Sequence, residues 1–93
     1  MAFYLKKHMI FHDYNWTQYS NDDPYVSGVP DNTLFDKNEG YQVLYMINIF
    51  GKTFQQMTIN VGKKIEIMIR GLPPYVKRQT DVLDWLFNNW SRY

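Results

Sequence analysis

Between Phe3 and His12 apolar and polar side chains alternate, with Phe3, Leu5, Met9 and Phe11 on one side and Tyr4, Lys6, His8 and His12 on the other. That period predicts a half-buried β-strand. From Asp13 to Phe35 the pattern dissolves into turn chemistry, including Asp23-Pro24, Ser27-Gly28 and Pro30-Asp31. Tyr14, Trp16, Tyr19, Tyr25 and Val26 give this stretch apolar anchors, so a long ordered loop is expected. A short second strand near Tyr25 to Ser27 would give the first a partner, because an isolated strand leaves its backbone groups unpaired.

Beyond Phe35 the period becomes helical. Asp36-Lys37-Asn38-Glu39 has the capping-box form and predicts a helix running from there to Gly51. It is apolar nearly all round, as expected of a helix covered on several sides at the centre of a core. Thr53-Phe54-Gln55-Gln56 repeats the capping signature. Phe54, Met57, Val61, Ile65, Met68 and Leu72 follow at helical spacing, predicting a second helix that ends at Gly71 before Leu72-Pro73-Pro74. The short turn at Gly51-Lys52 suggests a helical hairpin. Thr80 is the expected cap of a third helix, with Val82, Leu83, Leu86, Phe87 and Trp90 sharing its core face. The predicted fold class is α+β: an N-terminal strand or small hairpin and a long ordered loop (1–35) packed on a three-helix unit (36–93).

At 93 residues the chain suits one domain with one core, and its 45% hydrophobic content is enough to offset the entropy of folding. The absence of cysteine excludes disulfides, a thiol nucleophile and thiolate metal sites. No apolar run follows Lys6-Lys7 as in a signal peptide, and Val43 to Phe50 is too short to span a bilayer, so a cytoplasmic chain without membrane attachment is expected. The sequons Asn15-Trp16-Thr17 and Asn89-Trp90-Ser91 are then chance matches. Alanine occurs only at Ala2, a bias that AT-rich codons produce and that hints at a low-GC bacterial, phage or other mobile-element gene.

Catalytic constellations are not found. His8 and His12 would stand roughly 13 Å apart on a strand at about 3.3 Å per residue, too far to share a zinc ion. Gly51-Lys52-Thr53 resembles the tail of a phosphate-binding loop, but Met46 occupies the position where that motif needs glycine. Ser27-Gly28 lacks the preceding glycine of a nucleophile elbow. Asp22-Asp23 and Asp81 with Asp84 fit turn and helix-start roles. No cofactor, metal or enzymatic activity is expected.

Net charge is only +1, but the charges are sorted. Asp13, Asp22, Asp23, Asp31, Asp36 and Glu39 precede Lys52, Lys63, Lys64, Arg70, Lys77 and Arg78, with Lys37 and Glu66 the exceptions in the two stretches. The molecule should therefore be dipolar. On the second helix Ile59, Lys63, Ile67 and Arg70 line the face away from the core seam; packing of the N-terminal arm is the nearer explanation for the two isoleucines, a partner surface the other. Trp85 falls off the core stripe, and Arg92 and Tyr93 extend the same end.

The functional expectation is a small protein-binding module, an inhibitor or adaptor that occludes a partner's surface through Ile59, Lys63, Ile67, Arg70, Trp85 and Arg92. Homo-oligomerisation through the same surface belongs to that reading. The alternative is a helix-turn-helix-like nucleic-acid-binding protein using Lys52, Lys63, Lys64, Arg70, Lys77 and Arg78, weakened by a total charge close to neutral.

Overall fold

A computed structural model of the chain describes residues 4–54 and 56–93. Three helices follow a long irregular arm: α1 (Gly40–Phe54), α2 (Ile59–Arg70) and α3 (Gln79–Asn89), the last prolonged by a 3-10 turn at Trp90–Arg92. The helices pack on one another around Val43, Met46, Ile47 and Phe50 of α1, Ile65, Met68 and Ile69 of α2, and Val82 and Leu86 of α3. These positions recur at spacings of three, four and seven, the repeat that places apolar side chains on one side of a helix.

The α+β expectation is overturned, because the described residues contain no sheet. Their only ladder pairings are two isolated bridges, Asn15 with Glu39 (parallel) and Leu34 with Arg78 (antiparallel). Where a first strand was expected, Lys6–His8 form a 3-10 turn. The turn breaks the alternation, so that Tyr4 and Met9 are buried and Leu5 is exposed; Phe3 lies outside the described residues. Asn48 replaces the missing strand partner, its Oδ1 accepting from the Tyr4 N–H at 2.7 Å and its Nδ2 donating to the Tyr4 carbonyl at 2.9 Å. The expected second strand at Tyr25 to Ser27 is a turn, in which the Asp23 carboxylate accepts from the Tyr25 N–H.

The starts of α1 and α3 also differ from their sequence signatures, for one shared reason: the arm's backbone does the capping. The Asp36 side chain closes a local turn onto the Asn38 N–H. The first turn of α1 is met instead by the Asn15 carbonyl, which accepts from Gly40 N–H at 2.7 Å. At α3 the carbonyls of Thr33 and Asp31 accept from the N–H groups of Gln79 and Thr80, so Thr80 lies inside the helix and Arg78 stands at its cap. Buried Gln79 ties the same loop down, donating to the Pro24 carbonyl and accepting from the Asp31 N–H. These contacts satisfy donors that every helix start leaves open.

The boundary between α1 and α2 lies further along than Gly51 and Thr53 suggest. Gly51 is buried inside α1, where a Cβ would overlap the Met57 side chain. The helix therefore continues to Phe54. α2 starts after Thr58, whose Oγ1 accepts from the Val61 N–H at 3.1 Å. The predicted end at Gly71 holds. There the Lys37 Nζ donates to the carbonyls of Arg70 and Leu72, placing a cation at the negative end of α2.

The arm is fastened to α2 by a fully buried carboxylate, Glu66. Its Oε1 accepts from the Ile10 N–H at 2.8 Å and the Tyr4 hydroxyl at 3.0 Å; its Oε2 accepts from the Tyr14 hydroxyl at 2.8 Å and the Phe11 N–H at 3.2 Å. The Tyr4 hydroxyl also lies 2.8 Å from the His8 carbonyl, so its single proton is shared. One turn earlier on α2, Gly62 lets the Tyr4 ring lie flat on the helix, since any Cβ there would overlap it. Beyond Glu66, the Arg70 guanidinium stacks 3.9 Å from the Phe11 ring centroid and forms a two-bond ion pair with Asp13. That pairing holds the Asp13 carboxyl below its ordinary value.

Two outcomes follow from this clamp. Glu66→Ala strands the Tyr14 hydroxyl and two N–H groups, leaving Tyr4 only the His8 carbonyl, and should cost about 3–5 kcal/mol in urea unfolding, a large part of a small domain's stability. Burial first, and the Glu66 charge second, push the Tyr4 hydroxyl above the ordinary value of 10.0. Burial and the hydrogen bond to Glu66 do the same for Tyr14. Because the folded state resists ionisation that the unfolded chain permits, this contribution is complete below about pH 10 and is lost as pH rises beyond it. The urea midpoint should therefore fall above about pH 10 and do so less steeply in Tyr14→Phe, which has one fewer buried hydroxyl to ionise.

Candidate functional site

Ile59, Lys63 and Ile67 form an exposed row on α2, at one-turn spacing, with Ile59 46% and Ile67 47% accessible. The arm does not cover them, contrary to the nearer expectation, because its donors are drawn to Glu66 on one flank of the row. Arg70 continues the row in sequence but not in availability, since Asp13 and Phe11 occupy its guanidinium.

Trp85 is half-buried against the core and meets Tyr93 edge to face, with ring centroids 6.1 Å apart. It belongs to the packing of α3. Arg92 is exposed in the C-terminal 3-10 turn. Trp85 borders a shallow cavity with Tyr75, Asp81 and Asp84, and none of Ile59, Lys63 or Ile67 lines it.

A stronger surface feature escaped the sequence reading. Phe54 and Phe87, both assigned there to core stripes, are 42% and 62% exposed and lie against each other with ring centroids 5.7 Å apart. Phe54 left the α2 core when α1 extended past Gly51. Phe87 follows Leu86 by one residue, which on a helix turns it about 100° from the buried stripe of Val82 and Leu86. That offset was the available signal. The pair is rooted inside the core: Phe50 lies 5.1 Å from Phe54 and 5.4 Å from Trp90, and the Lys64 Nζ sits 3.9 Å above the Trp90 ring. Lys64 precedes Ile67 by three residues on α2, the spacing of helical neighbours. Trp90 and Lys64 thus stand between the phenylalanine pair, which reaches Trp90 through buried Phe50, and the exposed row on α2.

The nucleic-acid set is divided among separate tasks. Arg70 pairs with Asp13, Lys64 covers Trp90, and the Arg78 guanidinium donates to the Asn32 carbonyl at 2.8 Å. Lys52, Lys63 and Lys77 are exposed on α1, α2 and the segment before α3. His8 accepts from the Leu5 N–H through Nδ1, while His12 is exposed. Among the described residues no group of three or more His, Cys, Asp or Glu side chains could hold a metal, and no helix is long and apolar enough to cross a membrane.

Two substitutions separate packing from surface. Trp85→Ala should lower unfolding stability by about 1–3 kcal/mol, less than a fully buried tryptophan would. Phe87→Ala should change it by less than about 1 kcal/mol, as expected of a largely exposed side chain.

Comparison with protein-family models, curated proteins and solved structures found no match, so the functional reading rests on this geometry.

Proposed function

We propose that the chain is a non-enzymatic protein-binding module of the small inhibitor or adaptor kind, acting by covering part of a partner's surface. The observation that carries this reading is the exposed Phe54–Phe87 pair, together with Ile59 and Ile67 exposed on α2. Large apolar side chains exposed together cost a free protein solubility and typically mark an interaction site. Aromatic anchors at its centre are the side chains that dominate binding energy when buried by a partner. Lys63 and Lys64 favour a partner with acidic groups around an apolar patch. A second copy of the chain is one such partner.

Nucleic acid is the weaker reading. The outward face of α2 presents Ile59 and Ile67, where a groove-reading helix carries hydrogen-bonding side chains.

The test is affinity capture with the wild-type chain beside Phe87→Ala and Ile67→Glu, with and without nuclease, at low salt and at about 0.5 M salt, with size-exclusion mass in parallel. A protein retained by the wild type and reduced at least about tenfold by both variants, equivalent to roughly 1.4 kcal/mol or more, supports the proposal. Self-association lost in both variants identifies the partner as a second copy. Nucleic acid retained only at low salt, with the variants equal to wild type, overturns it.

A further inference from the structure

The outward faces of α2 and α3 carry opposite charges beside apolar side chains. On α2 that face holds Ile59, Asn60, Lys63 and Ile67, with Lys64 at its border, while the one acid of the helix, Glu66, is buried. On α3 it holds Asp81, Asp84, Phe87 and Asn88, and the helix contains no basic residue. Among the described residues Lys63, Asp81 and Asp84 form no hydrogen bond or ion pair. Asp81 lies in the first turn of α3, where the helix dipole favours an acid. Asp84 lies three residues further on, beyond that turn and beside exposed Phe87.

These two faces are complementary to each other. Lys63 precedes Ile67 by four residues and Asp84 precedes Phe87 by three, which is about 6.0 and about 4.5 Å along the axes at about 1.5 Å per residue. Laying α2 on the α3 of another copy so that Lys63 meets Asp84 therefore brings Ile67 to Phe87. Pairing α2 with α2 would set Lys63 against Lys63, and pairing α3 with α3 would set Asp84 against Asp84, so the charges select the mixed contact. A net charge of +1 leaves little long-range repulsion between copies.

On the protein-binding reading above, we propose that the partner is a second copy of the chain, in a symmetric dimer that sets α2 of each protomer against α3 of the other. The two helices pack on each other within a protomer, and at their junction the Lys64 Nζ lies 3.9 Å above the Trp90 ring. A two-fold axis near that junction makes the α2–α3 contact twice and leaves no open end, so assembly stops at two. Each contact joins Lys63 to Asp84 and covers Ile67 and Phe87.

Size-exclusion mass and sedimentation of the chain from about 1 μM to about 0.5 mM measure self-association. The wild type should pass from monomer to dimer in that range. Lys63→Glu and Asp84→Lys, both at exposed positions, should each weaken dimerisation at least about tenfold, because each places like charges in both contacts. The two changes combined in one chain, or the two single variants mixed in equal amounts, should restore it, since every contact then regains opposite charges. Lys63→Gln and Asp84→Asn replace any reversal that loses helix content, and should each weaken dimerisation about threefold or more. A loss without recovery in the combined or mixed samples, single variants that dimerise like the wild type, growth beyond a dimer, or a wild type that stays monomeric overturns the proposal. A monomeric wild type that still captures a protein lost in Phe87→Ala and Ile67→Glu overturns the dimer alone; one that captures none overturns the binding reading with it.

Discussion

A carboxylate placed on the buried side of a helix has to be surrounded by donors, because an ion taken from water into an apolar interior is costly unless hydrogen bonds replace its solvent. Glu66 is in that position, and α2 supplies none of the donors described around it. All four come from the arm, which must run across Gly62, bend at Lys6–His8 and turn its backbone N–H groups inward at Ile10 and Phe11. Its lack of regular structure is therefore a consequence of what it binds. A paired strand would spend its N–H groups on a neighbouring strand rather than on the carboxylate.

The same economy decides which surfaces remain bare. The arm's remaining carbonyls cap α1 and α3, and its aromatic side chains take the flank of α2 beside Glu66 and Arg70. Trp90 and the C-terminal turn lie along the other flank, with Tyr93 against Gly71 and Trp90 beneath Lys64. The strip between them, Ile59 to Ile67, receives cover from neither. Exposure there and at Phe87 is the remainder left after the arm and the chain end have met the requirements of the core.

The sequence carried the helical repeat and the proline stop after Gly71 legibly, since both are local properties of the backbone and its side-chain spacing. It misled wherever a distant group replaced a local one. Asp36 and Thr53 have the form of caps, but Asn15 and Thr58 act at the helix starts concerned, and the alternation near the N-terminus gave way to hydrogen bonds with Asn48 and to Glu66. Glu66 read as a lone acid in a basic segment because the tyrosines that solvate it lie far away in the chain. Of the candidate site, the row Ile59, Lys63 and Ile67 was visible as a helix face, while Phe54 and Phe87 were hidden by a misplaced helix boundary and by assigning too wide a stripe to the core.

The separation between Glu66 and its donors also bears on biosynthesis. They precede it by 52 to 62 positions, and translation supplies them first. Until α2 has left the ribosome, Tyr4, Met9 and Tyr14 have no completed site to enter, so a nascent chain carries an apolar leader segment in waiting. Assembly of this clamp is thus ordered against the direction of synthesis: the donors are fixed only after the carboxylate that follows them exists, and in that interval their apolar neighbours are open to aggregation or chaperone capture.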